Sequence, residues 1–464
     1  MLGIHIDKNS KISITRQLCD QLRTLIIEGK LKSGDKLPST RKLSSEFNIS
    51  RNIVIEVYEQ LIAEGFLETI AGSGTYVSSD IEPQYNLKKE NFIKEKILKE
   101  KEIDIIDFSS GIPDLYLFPK NLWIKCVKRA IEDVGNVLSY GDIMGDYILR
   151  ENISKYLFRT RGIHSSPDEI IIFAGASQGY LLIAKVLAKI FKKLYIEEPM
   201  VRFIPNIFQN FGYKLYPIDV DKSGIKVEEI ISNNDKALVL LTPSHQFPTG
   251  SILSIQRRQE ILKWAESSES LIIEDDYDSE YRFKGIPIPP LRNLNKDKVI
   301  YVGTFSKNLS PAIRLGFIII PKSLIEIFIK TKLDLNMYTP SLDQRALSIF
   351  IDNGYLDKHI YKMNKVYKKK RNLLKEELRK YFEDKILIEG DDAGLHMAVD
   401  FVSKNYVEID WRKSLDYKVK VYPFNRYSFK NKDYKNKLVL GYGNLSFNEI
   451  QEGVKRLSIF LNNF

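Results

Sequence analysis

A single lysine follows a β-rich apolar run at the start of the stretch Val299–Phe317. The run leads into Gly-Thr-Phe-Ser-Lys, so Lys307 follows directly on Ser306, and Arg314 comes seven residues later. A lysine at a strand end in apolar surroundings is disfavoured in its charged form, and a neutral lysine can attack a carbonyl to form a Schiff base. Thr304, Ser306 and Arg314 supply the donors that a phosphate needs. The alternative is a surface lysine in a serine-rich loop, and this stretch alone does not decide.

Two further polar clusters follow apolar runs earlier in the chain. Polar residues come directly after Ala237–Leu241 and after Leu271–Ile273, and the second cluster contains Asp275 and Tyr277. In a parallel sheet such clusters gather with Lys307 beyond the carboxyl ends of the strands. Proteins hold pyridoxal phosphate with a Schiff-base lysine and an acid at the pyridinium nitrogen. Asp275 can supply that acid and Tyr277 a phenol for the ring oxygen. By itself, Asp275 would be read as a solvated strand-end acid.

A glycine-rich turn offers a possible phosphate site. The buried-strand pattern Ile170–Phe173 is followed by Ala-Gly-Ala-Ser-Gln-Gly and then by an apolar helix, Tyr180–Ala188. A strand, a tight turn and a helix leave free backbone N–H groups at the helix N-terminus, which is an anion site by geometry. The amides of Ala176, Ser177 and Gln178 are therefore candidate phosphate donors, although such turns are common.

The order of the elements predicts the fold class. Short apolar runs recur between residues 170 and 320, with helical stretches between several of them. This alternation predicts an α/β fold with a mostly parallel sheet and helices on both faces. We assign residues 106–464 to this unit, with a large part at about 120–330 and a small part at about 331–464 together with 106–119.

The N-terminal residues 1–78 have a different pattern. One amphipathic helix precedes two short helices that Ser39 and Ser50 can cap, separated by a tight turn, which predicts a helix-turn-helix. A hairpin around Gly72 and Gly74 follows as a β-wing. Basic residues crowd positions 30–51, and Arg51 opens the second short helix, where a recognition helix meets base edges. The alternative is a three-helix packing module with a solvated basic face.

Composition limits the remaining function classes. The 464 residues suggest more than one domain, and a net charge of +10 permits a polyanionic partner. Cys19 and Cys126 are the two cysteines, so neither a disulfide framework nor a cysteine metal cluster is expected, and no metal site is predicted. Without a signal-peptide pattern or an apolar run of about 20 residues, we expect a cytoplasmic protein with no membrane partner. The charged residues 79–105 are expected to form a linker.

The N-terminal unit resembles the GntR-type winged helix. The resemblance rests on LPSTRKLSSEF, SRNIVIEVYEQLIAEGFLE and GSGTYV. It implies binding to double-stranded DNA. Arg51 or Asn52 would contact bases, and Arg41 and Lys42 would mainly contact phosphates. The DNA-facing set that the resemblance implies is Ser39, Thr40, Arg41, Ser50, Arg51, Asn52, Gly72 and Gly74. GntR wings usually carry a basic residue just before Gly-x-Gly, whereas this chain has Ile-Ala there.

Residues 107–464 resemble the fold-type-I, class I/II aminotransferases, and most closely the aminotransferase-like half of MocR/GabR-type regulators. The matching stretches are FSSGIPDLYLFP, YGDIMGDYILRENISKYLFRTRGI, TPSHQFPTG, IEDDYDSEYR and YVGTFSKNLSPAIRLGF. The resemblance implies that Lys307 carries the internal aldimine of pyridoxal phosphate. The other cofactor contacts that it implies are Asp275, Tyr277, Arg314, Ser306 and Gln246. Tyr140 matches a tyrosine that reaches the phosphate of the partner subunit, which implies a head-to-tail homodimer with shared sites.

Three departures from the transaminase pattern bear on activity. Met200 or Val201 stands where many relatives stack an aromatic ring on the cofactor, and Phe247 stands where transaminases place asparagine. Val439 stands where an arginine clamps the substrate carboxylate. Loss of that bidentate partner weakens an amino-acid site. Transaminase activity is therefore expected to be weak or absent.

Three functions compete on this basis. The favoured one is a transcription regulator that senses pyridoxal phosphate, or an amino compound that reacts at Lys307. A PdxR-like role in controlling vitamin B6 synthesis is one form of it. The alternatives are an active aminotransferase with an accessory DNA-binding domain, and a DNA-binding protein whose large domain holds no cofactor. The complete set of cofactor residues argues against the last.

Overall fold

A computed structural model describes residues 3–10, 12–79, 104–285, 288–402, 409–430, 434 and 436–463. The chain divides into two compact units, Met1–Glu102 and Ile103–Phe464. Most of the linker predicted at 79–105 lies outside the described residues.

The first unit is a three-helix bundle with a hairpin. Its elements are α1 (Ile14–Ile27), α2 (Thr40–Phe47), α3 (Arg51–Ala63), β1 (Leu67–Ile70) and β2 (Gly74–Val77). Ser39 caps α2 by accepting from the Lys42 amide, and Ser50 caps α3 by accepting from the Asn52 amide. Asn48 ends α2 in the left-handed conformation, with φ 52°. The turn between the helices is therefore short, and β1 and β2 form an antiparallel wing.

The second unit contains twelve helices and fourteen strands in its described residues. The helices are α4 (Lys120–Ile131), α5 (Val134–Val137), α6 (Tyr147–Arg161), α7 (Ala176–Leu187), α8 (Phe203–Asn210), α9 (Glu228–Ile231), α10 (Ile255–Ser267), α11 (Leu291–Leu294), α12 (Ile325–Leu335), α13 (Ser341–Asp352), α14 (Tyr355–Phe382) and α15 (Phe447–Asn462). The strands are β3 (Ile106–Asp107), β4 (Ile170–Phe173), β5 (Lys193–Glu198), β6 (Lys214–Asp221), β7 (Gly224–Ile225), β8 (Leu238–Leu241), β9 (Leu271–Asp276), β10 (Val299–Thr304), β11 (Gly316–Ile319), β12 (Ile386–Glu389), β13 (His396–Phe401), β14 (Val419–Lys420), β15 (Tyr422–Pro423) and β16 (Lys437–Gly441).

The main sheet has eight strands in the order β4-β11-β10-β9-β8-β5-β6-β7. Strands β10, β9, β8, β5 and β6, adjacent in that order, run parallel to one another. Strand β11 runs antiparallel to both of its neighbours, β10 and β4. Buried residues of α7 and α8 cover one face, and those of α6 and α13 cover the other. The predicted α/β class, with a mostly parallel sheet, is confirmed. Because β8, β9 and β10 are neighbours, their polar ends meet at one edge.

A second sheet, of four antiparallel strands (β12-β13-β16-β15), packs against α14 and α15. Phe108 lies in this core, whereas Phe118 packs against the core of the large part. The internal boundary predicted near residue 331 is wrong. Helix α12 packs on α7, and α13 packs on α4 and α6, so both belong to the large part. The small part begins within α14, because apolar spacing shows that α13 has a buried face but not which core that face joins.

In the part of the chain that the structure describes, no helix combines the length and the apolar character needed to cross a membrane.

Candidate functional site

A cavity of about 380 Å³ lies at the edge where β8, β9 and β10 end. Eight of the residues predicted to bind the cofactor line it. They are Ala176, Ser177, Asp275, Tyr277, Thr304, Ser306, Lys307 and Arg314. The cavity therefore brings together residues that are up to 138 positions apart in sequence, because the sheet order places their strands side by side.

Lys307 has an environment that favours its neutral form. Its Nζ donates a hydrogen bond of 2.5 Å to the carbonyl of Gly111. Burial lowers the pKa of Lys307, and the carboxylates of Asp278 and Asp275 only partly oppose this. Gly111 has a φ of +80°, and a Cβ there would lie 2.7 Å from the lysine Nζ. A glycine at this position leaves room for the amine, which can act as a nucleophile in this cavity.

Asp275 lies near the end of β9 and faces the cavity. Burial raises the pKa of its carboxyl to about 7, and the neighbouring phenol of Tyr180 only partly opposes this rise. Tyr180 is itself fully buried and lines the same cavity. A carboxyl that ionises near neutral pH can, as the carboxylate, accept from the protonated nitrogen of a pyridine ring.

Residues around a helix N-terminus form an anion cradle in the wall of the same cavity. Arg314, with a φ of 51°, donates from Nη2 to the Ala174 carbonyl at 3.0 Å and to Ser177 Oγ at 3.3 Å. Ala176 is the first residue of α7, so the N-terminus of that helix opens onto the cavity. A Cβ on Gly175 would meet Arg314 Nη2 at 2.7 Å, so glycine is needed for this approach.

A buried histidine–aspartate pair supports Tyr277. Nδ1 of His245 lies 3.1 Å from both carboxylate oxygens of Asp278 and 3.2 Å from the hydroxyl of Tyr277. Burial opposes the charged imidazole, but Asp278 outweighs it and raises the pKa of His245. Burial raises the pKa of Tyr277 well above its usual value, so this phenol remains a donor. The pair therefore fixes the position of the hydroxyl that faces the cavity.

His396 also reaches the cavity, from β13 of the small part. Burial lowers the pKa of His396 far below its usual value, and its Nε2 is buried without a hydrogen-bond partner among the described residues. The side-chain atoms of His245, Asp278 and His396 that could bind a metal ion lie within 4.8 Å of one another. Sequence reasoning did not select these three residues. His245 could have been found from its place in the TPSHQFPTG stretch, whereas the sequence around His396 gives no local signal.

Three predicted cofactor residues do not line the cavity. The Gln178 side chain accepts from the Ala174 amide at 2.8 Å, and its own amide donates to the Gly175 carbonyl, so it shapes the turn instead. Gln246 is buried and donates to the Pro199 carbonyl at 2.7 Å. Gln178 thus bonds within its own turn, and Gln246 bonds to the segment that follows β5. Tyr140 is 87% exposed, so its ring is free to meet another molecule.

The position expected to hold a carboxylate clamp is apolar. Val439 is fully buried in a cluster with Phe247, Phe424 and Tyr427. Among the described residues that line the cavity, Lys307 and Arg314 are the only lysine or arginine side chains. Met200 and Val201 line it as well, so aliphatic groups stand where an aromatic ring would stack.

Arg202, Arg282 and Arg426 do not replace the missing clamp in the described structure. Arg202 donates to the backbone carbonyls of Arg426 and Ser428. Arg282 lines two other cavities. Arg426 lies over the Tyr422 ring, 5.4 Å from its centroid. The cavity therefore offers no cationic side chain beyond the lysine and the anion cradle.

The predicted DNA-facing residues lie at the starts of α2 and α3 and at the wing. Arg41, Arg51 and Asn52 are exposed, and Arg51 Nε donates to Thr40 Oγ1 at 3.2 Å. Gly72 and Gly74 are both exposed in the wing. The same region also contains the remaining members of the predicted set, Ser39 and Ser50.

The wing has a basic group that its own sequence lacks. Lys36 pairs with Tyr76 as an isolated bridge, and its Nζ lies 5.5 Å from the centre of the Tyr76 ring. A Cβ on Gly74 would lie 3.1 Å from Lys36 Cε. Lys36 thus lies beside the Gly-x-Gly turn. The residues that directly precede this turn in sequence, Ile70 and Ala71, are not basic. The sequence hid this residue because it precedes α2 and is brought to the wing by the fold.

Two family descriptions account for the two units. The family of bacterial regulatory proteins, gntR family, matches residues 14–77. The family aminotransferase class I and II, whose members depend on pyridoxal phosphate, matches residues 103–455. The chain belongs to the class of proteins that join a GntR winged helix to an aminotransferase-like domain. Within that class it is a relative of the MocR-type regulators.

Three relatives match most of the length of this chain. The uncharacterized HTH-type transcriptional regulator YhdI of Bacillus subtilis is 35% identical, over 97% of this chain and 96% of its own length. The probable rhizopine catabolism regulatory protein MocR of Rhizobium meliloti is 31% identical, over 98% and 95%. The HTH-type pyridoxine biosynthesis transcriptional regulator PdxR of Corynebacterium glutamicum is 31% identical, over 81% of both chains.

Among solved structures, the kynurenine aminotransferase of Pyrococcus horikoshii is 27% identical. It covers 81% of this chain and 98% of its own, with a TM-score of 0.71. The aminotransferase-like fold of the second unit is therefore confirmed.

Proposed function

We propose that this protein is a transcription regulator that binds operator DNA through residues 1–78 and pyridoxal phosphate in the Lys307 cavity. One observation carries the proposal. Eight of the residues expected to hold the cofactor line the cavity, whereas Val439, which by the resemblance replaces a carboxylate-binding arginine, is buried in an apolar cluster. A site of this kind retains a ligand better than it turns over an amino acid.

The residues of the cavity fit the cofactor group by group. Lys307 would bind its carbonyl carbon, Asp275 would hold the proton of the ring nitrogen, and Tyr277 would donate to the ring oxygen. Arg314 and the N-terminus of α7 would hold the phosphate. When bound, pyridoxal phosphate supplies an aldehyde that condenses with amines, so the site could also respond to an amino compound.

Between these two effectors, the structure favours pyridoxal phosphate itself. An amino acid would bring a carboxylate into a cavity whose two cationic side chains, among the described residues, are already assigned to the cofactor. An unpaired buried carboxylate is costly. The relative from Corynebacterium glutamicum is named a regulator of pyridoxine biosynthesis, which supports the proposal that this chain acts on vitamin B6 synthesis.

The first test is the visible absorbance of the purified protein with added pyridoxal phosphate. Wild type should develop a band above about 400 nm that dialysis does not remove, on the order of one equivalent per chain, since a Schiff base to a buried lysine is expected. Lys307→Ala should lose the band, while Lys322→Ala, at an exposed lysine, should keep it. A wild type without the band would show that the cavity does not hold this cofactor.

The second test separates the regulator from the alternative enzyme. Pyridoxal phosphate should change the affinity of wild type for its operator by about fivefold or more, the size of an ordinary coupling between two sites. Lys307→Ala should bind DNA without this response. If an amino acid and not the cofactor changes operator affinity, the effector assignment is wrong. Sustained transamination of an amino donor with a keto acid would instead establish the active aminotransferase.

A further inference from the structure

A row of lysines on α14 forms no ion pair in the described part of the chain. Lys358, Lys362, Lys365 and Lys369 are all exposed. None of them has an acidic partner within 4 Å among the described residues. The exposed positions of α14 from Lys358 to Lys369 contain no acidic residue. We infer that these four residues, the α14 lysine row, form a second DNA-binding surface that contacts the phosphate backbone.

The fold separates these lysines from the other basic residues of the helix. In the run Lys-Lys-Lys-Arg at 368–371, Lys370 is buried and pairs with Asp114 at 2.7 Å. Arg371 is buried and pairs with Asp391 at 2.5 Å. Those two residues stabilise the small part. The α14 lysine row makes no comparable contact among the described residues and is exposed to solvent.

Helix geometry aligns the row. At 3.6 residues per turn, the four positions fall within a sector of roughly 60° and extend for about 16 Å along the helix axis. Lys120, at the start of α4, lines the same shallow cleft as Lys358 and Lys362, together with the exposed ring of Tyr116. Lys365 lies over the ring of Tyr361, 4.2 Å from its centroid. The result is a continuous basic surface with aromatic neighbours.

The row is unfavourable for the isolated helix. Lys358 and Lys362, and also Lys365 and Lys369, are separated by four residues, and like charges at that spacing destabilise a helix. Lys358 also lies in the first turn of α14, where the helix dipole disfavours a cation. A polyanion along this face would relieve both costs.

DNA is the polyanion that the rest of the chain indicates, since residues 14–77 match a family of DNA-binding regulators. Lysines act on phosphates as point charges and carry no base specificity. The α14 lysine row should therefore strengthen binding to any sequence that extends past the operator. This inference rests on the proposed binding of the winged helix to operator DNA.

The experiment compares two full-length variants with the same change in net charge. One replaces the row, Lys358→Gln, Lys362→Gln, Lys365→Gln and Lys369→Gln. The other replaces four exposed lysines elsewhere on the same unit, Lys189→Gln, Lys222→Gln, Lys263→Gln and Lys322→Gln. Operator affinity is measured between about 50 and 200 mM salt, on a fragment limited to the operator and on one with long flanks.

Each phosphate contact contributes about 0.9 to the slope of log K against log salt. On the long fragment, the row variant should lose roughly 2 to 4 from that slope and about tenfold or more in affinity, while the control variant matches wild type. The same factor should apply to an operator and to a scrambled sequence. On the short fragment, the difference between variants should shrink.

Equal slopes for the row variant, the control and wild type on the long fragment would overturn the inference and leave the proposed function intact. The inference would also be overturned if the row variant kept its DNA affinity but lost binding to another protein. That result would assign the surface to an acidic protein. If wild type binds no DNA at all, the proposed function fails with it. Circular dichroism of both variants checks that α14 remains folded.

Discussion

At the scale of single residues, the charge of Asp275 depends on its burial in the cavity. Burial raises the pKa of its carboxyl to about 7, against about 3.9 for an unfolded aspartate. Between those values the folded state holds a proton that the unfolded state has lost. Its contribution to stability is therefore full below about pH 4 and is lost as the pH rises through about 7.

This predicts the behaviour of Asp275→Asn, which replaces the buried carboxyl with an amide that does not titrate. Without cofactor, the variant should gain stability relative to wild type between about pH 5 and pH 8, by on the order of 2 kcal/mol. With saturating pyridoxal phosphate at about pH 8 the order should reverse, because only wild type retains the acid for the ring nitrogen. Thermal unfolding with and without the cofactor measures both effects. Asp384→Asn, at an exposed position, is the control, and an equal shift in it would show that burial of Asp275 is not the cause.

The sequence identified eight of the residues that line the cavity, for a definable reason. Lys307, Asp275 and Tyr277 each follow an apolar run, and the ends of neighbouring parallel strands must meet. The sequence did not show that the Gln178 amide and the Gln246 side chain form hydrogen bonds within the protein, since such contacts depend on how the loops fold. His396 was missed because it enters from β13 of the small part, across a long separation in sequence.

At the scale of elements, the start of α3 presents exposed polar side chains to solvent. Arg51 is its first residue, and its guanidinium is held by Thr40 of α2. This contact orients the side chain before DNA binds. Arg51→Ala should weaken specific operator binding by about 1–3 kcal/mol and relax the preference at one base pair, if Arg51 reads a base.

Fluorescence anisotropy with single-base operator variants measures that preference. Arg16→Ala is the matched control, because Arg16 is an exposed arginine of α1 with a side chain 77% accessible. It should bind like wild type. A uniform loss over all sequences for Arg51→Ala would show a phosphate contact instead of base reading.

Elements whose apolar residues form regular runs or recur at helical spacing were predicted from sequence. Elements that mix polar and apolar residues irregularly were not. Strand β6 was missed because its residues Lys214–Asp221 are mostly half-buried and mix lysine, proline and aspartate with apolar side chains. The assignment of α13 to the small part failed for a related reason, since apolar spacing does not name the partner of a buried face. The basic group of the wing, Lys36, is supplied by a segment before α2 and so escaped a reading of the hairpin alone.

At the scale of the whole molecule, the large part carries exposed apolar side chains that a second copy could cover. Val134 and Leu138 of the α5 region are 59% and 62% exposed, and Ile124 of α4 is 59% exposed. Tyr140, which follows them, is 87% exposed and matches the tyrosine expected to reach another subunit. Clustered exposure of this kind marks an interaction surface. The predicted homodimer gives these residues a partner.

Leu138→Asp should therefore disrupt the dimer, because it would bury an unpaired charge at the interface. Sedimentation velocity at micromolar concentration should show a dimer for wild type and a monomer for the variant. Affinity for pyridoxal phosphate should fall about tenfold in parallel, since loss of one charge-assisted contact to the phosphate costs about 1.5 kcal/mol. Leu387→Asp, on β12, is the control, because Leu387 is 51% exposed but lies in the small part. A Leu138→Asp protein that remains dimeric and retains full cofactor affinity would move the interface elsewhere. A monomer with unchanged cofactor affinity would show instead that each cavity is complete within one chain and that Tyr140 serves assembly alone.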